Sequence, residues 1–249
     1  MKYRSILVAV AFVAVVMLLA CAACSRSPGV YRIEPAVVPP SEIVDFNEIY
    51  GQNCAGCHGV DGKGGAAIAL ANPVFLAIAD DTVIRRIASN GVPSTPMPAF
   101  AQSAGGLLTD KQIEAIVQGI RSWQKPDALH GATPPPLTAQ APGDLKRGAN
   151  AYRTYCSSCH GADGRGGNKA GSIVDGSYLG LVSDQLLRTV VIAGRPELGA
   201  PDWRSDVEGR AMSAQDISDV VAWLSSQRTQ FPGQPYSTAL MKSAQGGSR

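Results

Sequence analysis

Aromatic residues are scarce in this 249-residue chain, 6% of the total against 45% hydrophobic. An apolar core with few large rings leaves room for some other filler, which agrees with a bulky buried group that is not an amino acid. An excess of charge of one sign is also missing. Lys and Arg number 22 and Asp and Glu 20, and without Lys2 and Arg4 the two signs balance. There is no basic field to attract nucleic acid and no acidic tail. Alternating strand patterns are almost absent, so the expected fold class is all-α.

Only one long apolar run is present. After Lys2 and Arg4 it covers Ile6 to Ala20 without a break. That length suits the core of an export signal and falls short of the roughly 20 residues needed to cross a bilayer. The run can be extended through Cys21-Ala22-Ala23-Cys24, which keeps an uncleaved anchor as the alternative. Leu18-Leu19-Ala20-Cys21 resembles the bacterial lipobox, in which the cysteine is lipidated and becomes the new N-terminus. Cys24 is a second candidate, and an ordinary signal peptide that happens to contain cysteines is the plainer reading. Each version puts the rest of the chain outside the cytoplasm. The lipobox version anchors it to the periplasmic side of the membrane through lipid.

Six cysteines in an exported chain would normally suggest disulfides. Here two fall in the signal region, and the others form Cys54-Ala55-Gly56-Cys57-His58 and Cys156-Ser157-Ser158-Cys159-His160. Two thiols on one helical turn can each add to a vinyl group of one porphyrin, and the next residue then offers an imidazole to the iron. A thioredoxin-like redox pair and a zinc site pooling both pairs are the competing readings. The first needs no histidine after the second cysteine. The second leaves the parallel context of the two motifs unexplained. Two covalent c-type haems are therefore expected.

That context is an internal repeat. His58-Gly59-Val60-Asp61-Gly62-Lys63-Gly64-Gly65 returns 102 residues later as His160-Gly161-Ala162-Asp163-Gly164-Arg165-Gly166-Gly167. After such a motif the glycines read as a tight loop that exploits positive φ, not as a phosphate cradle. Thr109 begins an amphipathic helix carrying Ile113, Ile116, Val117 and Ile120, and Ser213 begins one carrying Ile217, Val220, Val221 and Leu224. Helices are also expected over 42–53, 80–89, 144–155 and 183–191. The predicted organisation is signal and lipobox 1–24, leader 25–41, first domain 42–125, Pro-rich linker 126–143, second domain 144–230 and tail 231–249.

Each half resembles a class I cytochrome c domain: a helix, C-x-x-C-H, a loop bearing an axial methionine, and a closing helix that crosses the first. Tandem domains of this kind are similar to c4-type cytochromes and to cytochromes attached to respiratory complexes. Such domains often have a glycine eight residues before the first haem cysteine. Gly148 fits, whereas Phe46 does not, so the first helix crossing should be wider or reached differently. Met97, held between Pro96 and Pro98, is the candidate sixth ligand opposite His58. In the second half Ala200 takes the place of Met97. Met212 is then the candidate ligand opposite His160; read instead as a hydrophobic staple at the helix start, where Leu108 stands in the first half, it leaves an open or water-bound site or another ligand as the alternatives. His130 reads as a solvated loop residue. The resemblance implies single-electron transfer among redox proteins of a respiratory chain, between a quinol-oxidising complex or dehydrogenase and an oxidase. A dihaem enzyme with an open axial site and a docking subunit are the alternatives.

Overall fold

The computed structural model describes Tyr3, residues 12–17, 37–125 and 127–229. Cys21, Cys24 and the expected tail from residue 231 lie outside the described residues. Met1–Pro39 form one compact unit, in which residues 12–17 are helical, and Pro40–Arg249 form the other. The described residues are helical with no strand among them, as expected. No helix among them is long and apolar enough to cross a membrane.

The larger unit carries the repeat as two halves. The first runs α1 (Phe46–Asn53), α2 (Ala55–His58), α3 (Pro73–Ile78), α4 (Asp81–Asn90) and α5 (Asp110–Ser122). The second repeats this as α6 (Leu145–Tyr155), α7 (Ser157–His160), α8 (Gly176–Leu181), α9 (Asp184–Ala193) and α10 (Ala214–Ser226). α1 starts at Phe46 and not at residue 42, because the Asp45 carboxylate accepts from the Glu48 amide at 2.9 Å and caps the helix there. Thr109 and Ser213 do open the closing helices, each in a reciprocal capping box with Gln112 or Asp216. The short helices α3 and α8 are absent from the sequence reading. Each starts at a side-chain cap, Asn72 or Asp175, and Asn72 is followed by proline at the first helical position.

In each half the first and closing helices cross, but the two crossings are packed in opposite ways. A β-carbon added to Gly148 on α6 would overlap the Asp219 carbonyl of α10 and stand 2.8 Å from Trp223 Cβ. The backbones therefore meet at Gly148. In the first half the small residue is on the other helix: a β-carbon at Gly119 of α5 would fall on the ring of Phe46. Phe46 and Gly119 thus exchange the sizes of Gly148 and Trp223. Phe46 also meets Tyr50 and Trp123 at 5.5 and 5.2 Å, while Trp223 stacks on Tyr152 at 4.3 Å. Five of the chain's fifteen aromatic residues stand at these crossings.

An arginine fork locks each half. Arg121 donates to Asp81 at 2.7 Å and to the Leu76 and Ala79 carbonyls at 2.6 Å. Arg228 reaches the matching acceptors, Asp184 and the Leu179 and Val182 carbonyls. The planar guanidinium fork suits this three-way closure. In the second half Asp219, its side chain 3% exposed, also accepts both arms of Arg147 at 2.7 and 2.9 Å. The Pro-rich stretch lacks helix and strand but is not free. The carbonyls of Pro136 and Leu137 accept from the buried Arg188, and Pro142 accepts from Gln215.

The halves meet through α3 and α9. Asn72 caps α3 with its oxygen, and its amide nitrogen donates to the Ala193 carbonyl at 2.9 Å. Arg195, ion-paired with Glu197, donates to the Gly65 carbonyl at 2.8 Å.

Gly148→Ala should cost about 2 kcal/mol by overpacking the α6–α10 crossing. Gly51→Ala, where nothing lies within 4 Å of the added carbon, should stabilise α1 by about 0.5–1 kcal/mol. Urea denaturation of the full chain measures both, with opposite shifts of midpoint expected.

Candidate metal centres

Both cysteine-histidine motifs are single turns started by a break in the preceding helix. Cys54 and Cys156 end α1 and α6, their amides bonding to the Tyr50 and Tyr152 carbonyls at 2.8 Å. The chain then restarts as α2 and α7. Cys57 and Cys159 donate to the carbonyl of the first cysteine at 3.2 Å, and His58 and His160 do so at 3.0 Å. Two thiols and an imidazole are thus carried on one turn, in the same hydrogen-bonded register in both halves.

The turn is closed by the loop that follows. Gly59 and Gly161 have φ of 79° and 78°, and a β-carbon on either would overlap the carbonyl of Gly64 or Gly166. Buried Tyr50 and Tyr152 donate their hydroxyls to the Gly59 and Gly161 carbonyls at 2.8 and 2.5 Å. Further along, the Ile68 carbonyl lies 2.8 Å from His58 Nδ1, and the Gly171 carbonyl 2.8 Å from His160 Nδ1. A carbonyl can only accept, so Nδ1 carries the proton and Nε2 keeps its lone pair for a metal. Burial, against the Ile68 bond and aided by Arg195, also holds the His58 pKa below its ordinary value, which favours this neutral form.

The first thiol of each motif lacks the lowered pKa of a disulfide-exchange nucleophile. Burial, with the neighbouring Cys57 or Cys159 adding to it, pushes Cys54 and Cys156 up to about 11. Reactive disulfide-exchange thiols are shifted the other way. Nor are the two pairs pooled: among the described residues no group of three or more His, Cys, Asp or Glu side chains is gathered for a metal ion. The four cysteines among the described residues are unpaired thiols. Two free thiols beside an imidazole with an available Nε2 are the donor set that a covalently attached haem requires.

Met97 lies half-buried in the loop after α4. Its carbonyl accepts from the Val92 amide at 3.0 Å, and its amide donates to Thr95 Oγ1 at 3.3 Å. Ala200 occupies the same register after α9, accepting from the Arg195 amide at 3.0 Å. Met212 is buried in the core, 6% exposed, with its amide 2.7 Å from the Trp203 carbonyl. Leu108 has the matching bond to Phe100 at 2.7 Å and is 7% exposed. His130 is exposed in a turn. Sequence reading missed the supporting residues Tyr50, Tyr152, Asn72 and Arg195. The tyrosines were there to be found, since both stand four residues before a motif's first cysteine.

The family model described as cytochrome C oxidase, cbb3-type, subunit III matches residues 42–118 and again residues 143–224. The chain belongs to this family. It is a tandem c-type cytochrome, and the family implies covalently bound haem c. This cytochrome is 22% identical to the cytochrome bc1 complex cytochrome c subunit of Mycobacterium tuberculosis over 182 residues, 71% of this chain and 60% of that protein. It is 29% identical to the cbb3-type cytochrome c oxidase subunit FixP of Azorhizobium caulinodans over 143 residues, 52% of this chain and 43% of that one. The chain thus spans about 60% of the length of the mycobacterial relative. Among solved structures, a chain of the Kuenenia stuttgartiensis reducing HAO-like protein complex aligns at TM-score 0.41 and 19% identity, over 78% of this cytochrome and 100% of that chain.

The tyrosine bonds give a pH prediction. Burial, reinforced by the nearby cysteine, pushes the Tyr50 and Tyr152 hydroxyls from 10.0 up to about 12. The folded state favours the neutral phenol, so this stabilisation is complete below pH 10 and is lost as pH rises through 12. Tyr50→Phe should cost about 1 kcal/mol at neutral pH. It should also flatten part of the stability loss between pH 10 and 12, read from urea midpoints against pH.

Proposed function

We propose that this cytochrome carries single electrons on the periplasmic side of the membrane, from a quinol-oxidising complex or dehydrogenase to an oxidase. The observation that carries the proposal is the duplicated turn, thiol–thiol–imidazole, with Nδ1 tied to a backbone carbonyl in both halves. In this reading Cys54, Cys57, His58 and Met97 hold one haem, and Cys156, Cys159 and His160 hold the second. Bound haem supplies the one-electron iron chemistry. The chain's own part is to fix and shield. The Nδ1 bonds fix the plane and tautomer of each imidazole, the tyrosine bonds hold the loop that carries the acceptors, and the apolar helices keep water away.

Relatives named as subunits of a bc1 complex and of a cbb3-type oxidase support a place in a respiratory chain. They also support redox proteins as its partners. Balanced charge argues against nucleic acid. We further propose that Cys21, with Cys24 as the alternative, is lipidated and anchors the exported chain. Two or more acyl chains give firm attachment because each buried methylene contributes about 0.8 kcal/mol.

Intact mass of the denatured protein tests the haem sites. The expected gain over the polypeptide is two haem groups, and Cys57→Ser and Cys159→Ser should each disturb one of them. A gain of a single haem in the native sequence would defeat the tandem assignment. For the anchor, fractionation should find the protein with membranes and find Cys21→Ser released or unprocessed, with Cys24→Ser unchanged. A native protein recovered in the soluble periplasm would remove the lipid anchor.

A further inference from the structure

The halves share the hydrogen-bonded register of the cysteines and histidine, and they part at the loop after the fourth helix. In the first half one backbone bond, from the Val92 amide to the Met97 carbonyl at 3.0 Å, spans this loop. Pro96 and Pro98 flank Met97, Ser94 stands at φ 60°, and Thr95 Oγ1 donates to the Val92 carbonyl at 2.8 Å. In the second half the loop folds on itself. Pro196–Leu198 form a 3-10 turn, and Arg195 and Ala200 exchange both backbone bonds at 3.0 Å. That closed loop faces the first half, where Arg195 donates to Gly65 and Glu197 packs on Gly64. The segment that carries Met97 in one half is a contact between halves in the other.

The methionines are accounted for in the same terms. Val92 with Met97, and Arg195 with Ala200, make the same amide-to-carbonyl bond at the same distance, so Ala200 stands in Met97's register. Met212 stands in that of Leu108, buried to the same degree and bonded the same way. Its side chain belongs to the hydrophobic core, directly before the helix start, which is the place of a staple. An alanine methyl has no lone pair to offer iron.

We propose that the second haem has no methionine at its sixth position and binds a small neutral molecule there, of the size and bonding type of a diatomic gas. The proposal rests on the reading that Cys156, Cys159 and His160 hold a haem. With His58 and Met97 as its two iron ligands, the first haem would have no position left for such a molecule, and the first half would not take it up.

Carbon monoxide titration of the dithionite-reduced full chain tests this, on protein whose mass shows both haems. The expected uptake is one carbon monoxide per chain. Ala200→Met should abolish it and add a second sulfur-to-iron absorption band. Met212→Leu should leave uptake at one. No uptake by the native protein, with both haems attached, overturns the proposal. If the Met212→Leu variant then takes up one where the native chain takes up none, Met212 is the ligand. If the mass shows one haem only, the second site itself fails, and the mass alone reports that.

Discussion

The bond from an imidazole Nδ1 to a backbone carbonyl downstream is the constraint on which the rest of each half depends. For that carbonyl to arrive at 2.8 Å, the chain must reverse within a few residues of the histidine. The reversal requires positive φ at Gly59 and Gly161 with the Gly64 and Gly166 carbonyls against them. It also requires a hydroxyl from the preceding helix to hold the turn, which Tyr50 and Tyr152 supply. Those tyrosines are fixed by the helix crossing. The crossing, the glycine loop and the imidazole therefore form one mechanical chain from packing to chemistry.

The same fold is reached twice with different side chains. Phe46 on Gly119 and Trp223 on Gly148 fill equivalent crossings from opposite helices. Arg121 and Arg228 close equivalent acceptors from positions that do not align in the repeat. What is kept is the volume at the crossing and the donor at the acceptor set, not the residue that provides them. Around the cysteines and histidine identity and geometry coincide, because there the chemistry admits no substitute. The halves are then joined by Asn72 and Arg195, whose acceptors, the Ala193 and Gly65 carbonyls, lie in the opposite half.

Much of this was legible beforehand, for physical reasons. The all-α class followed from periodicity, and the closing helices were placed by their caps, Thr109 and Ser213, which satisfy local amides irrespective of tertiary context. The motifs at Cys54 and Cys156 were legible because thiol chemistry needs a fixed spacing. α3 and α8 were not, since six residues are too few to show a period. The α1–α5 crossing was anticipated as unusual from Phe46, but the compensating Gly119 lies 73 residues away, beyond the reach of local pattern. The inward use of the loop around Arg195 depends on the opposite half, which no single stretch of sequence reveals.

Two similar but unequal halves, each presenting an Nε2 from a turn that also carries two thiols, suit a protein that accepts and releases electrons one at a time. Coulometric reduction of the purified full chain tests that claim most directly. Uptake of two electrons per chain, fully recovered on reoxidation, is the expected result. Uptake of a single electron by protein that holds both haems would contradict it.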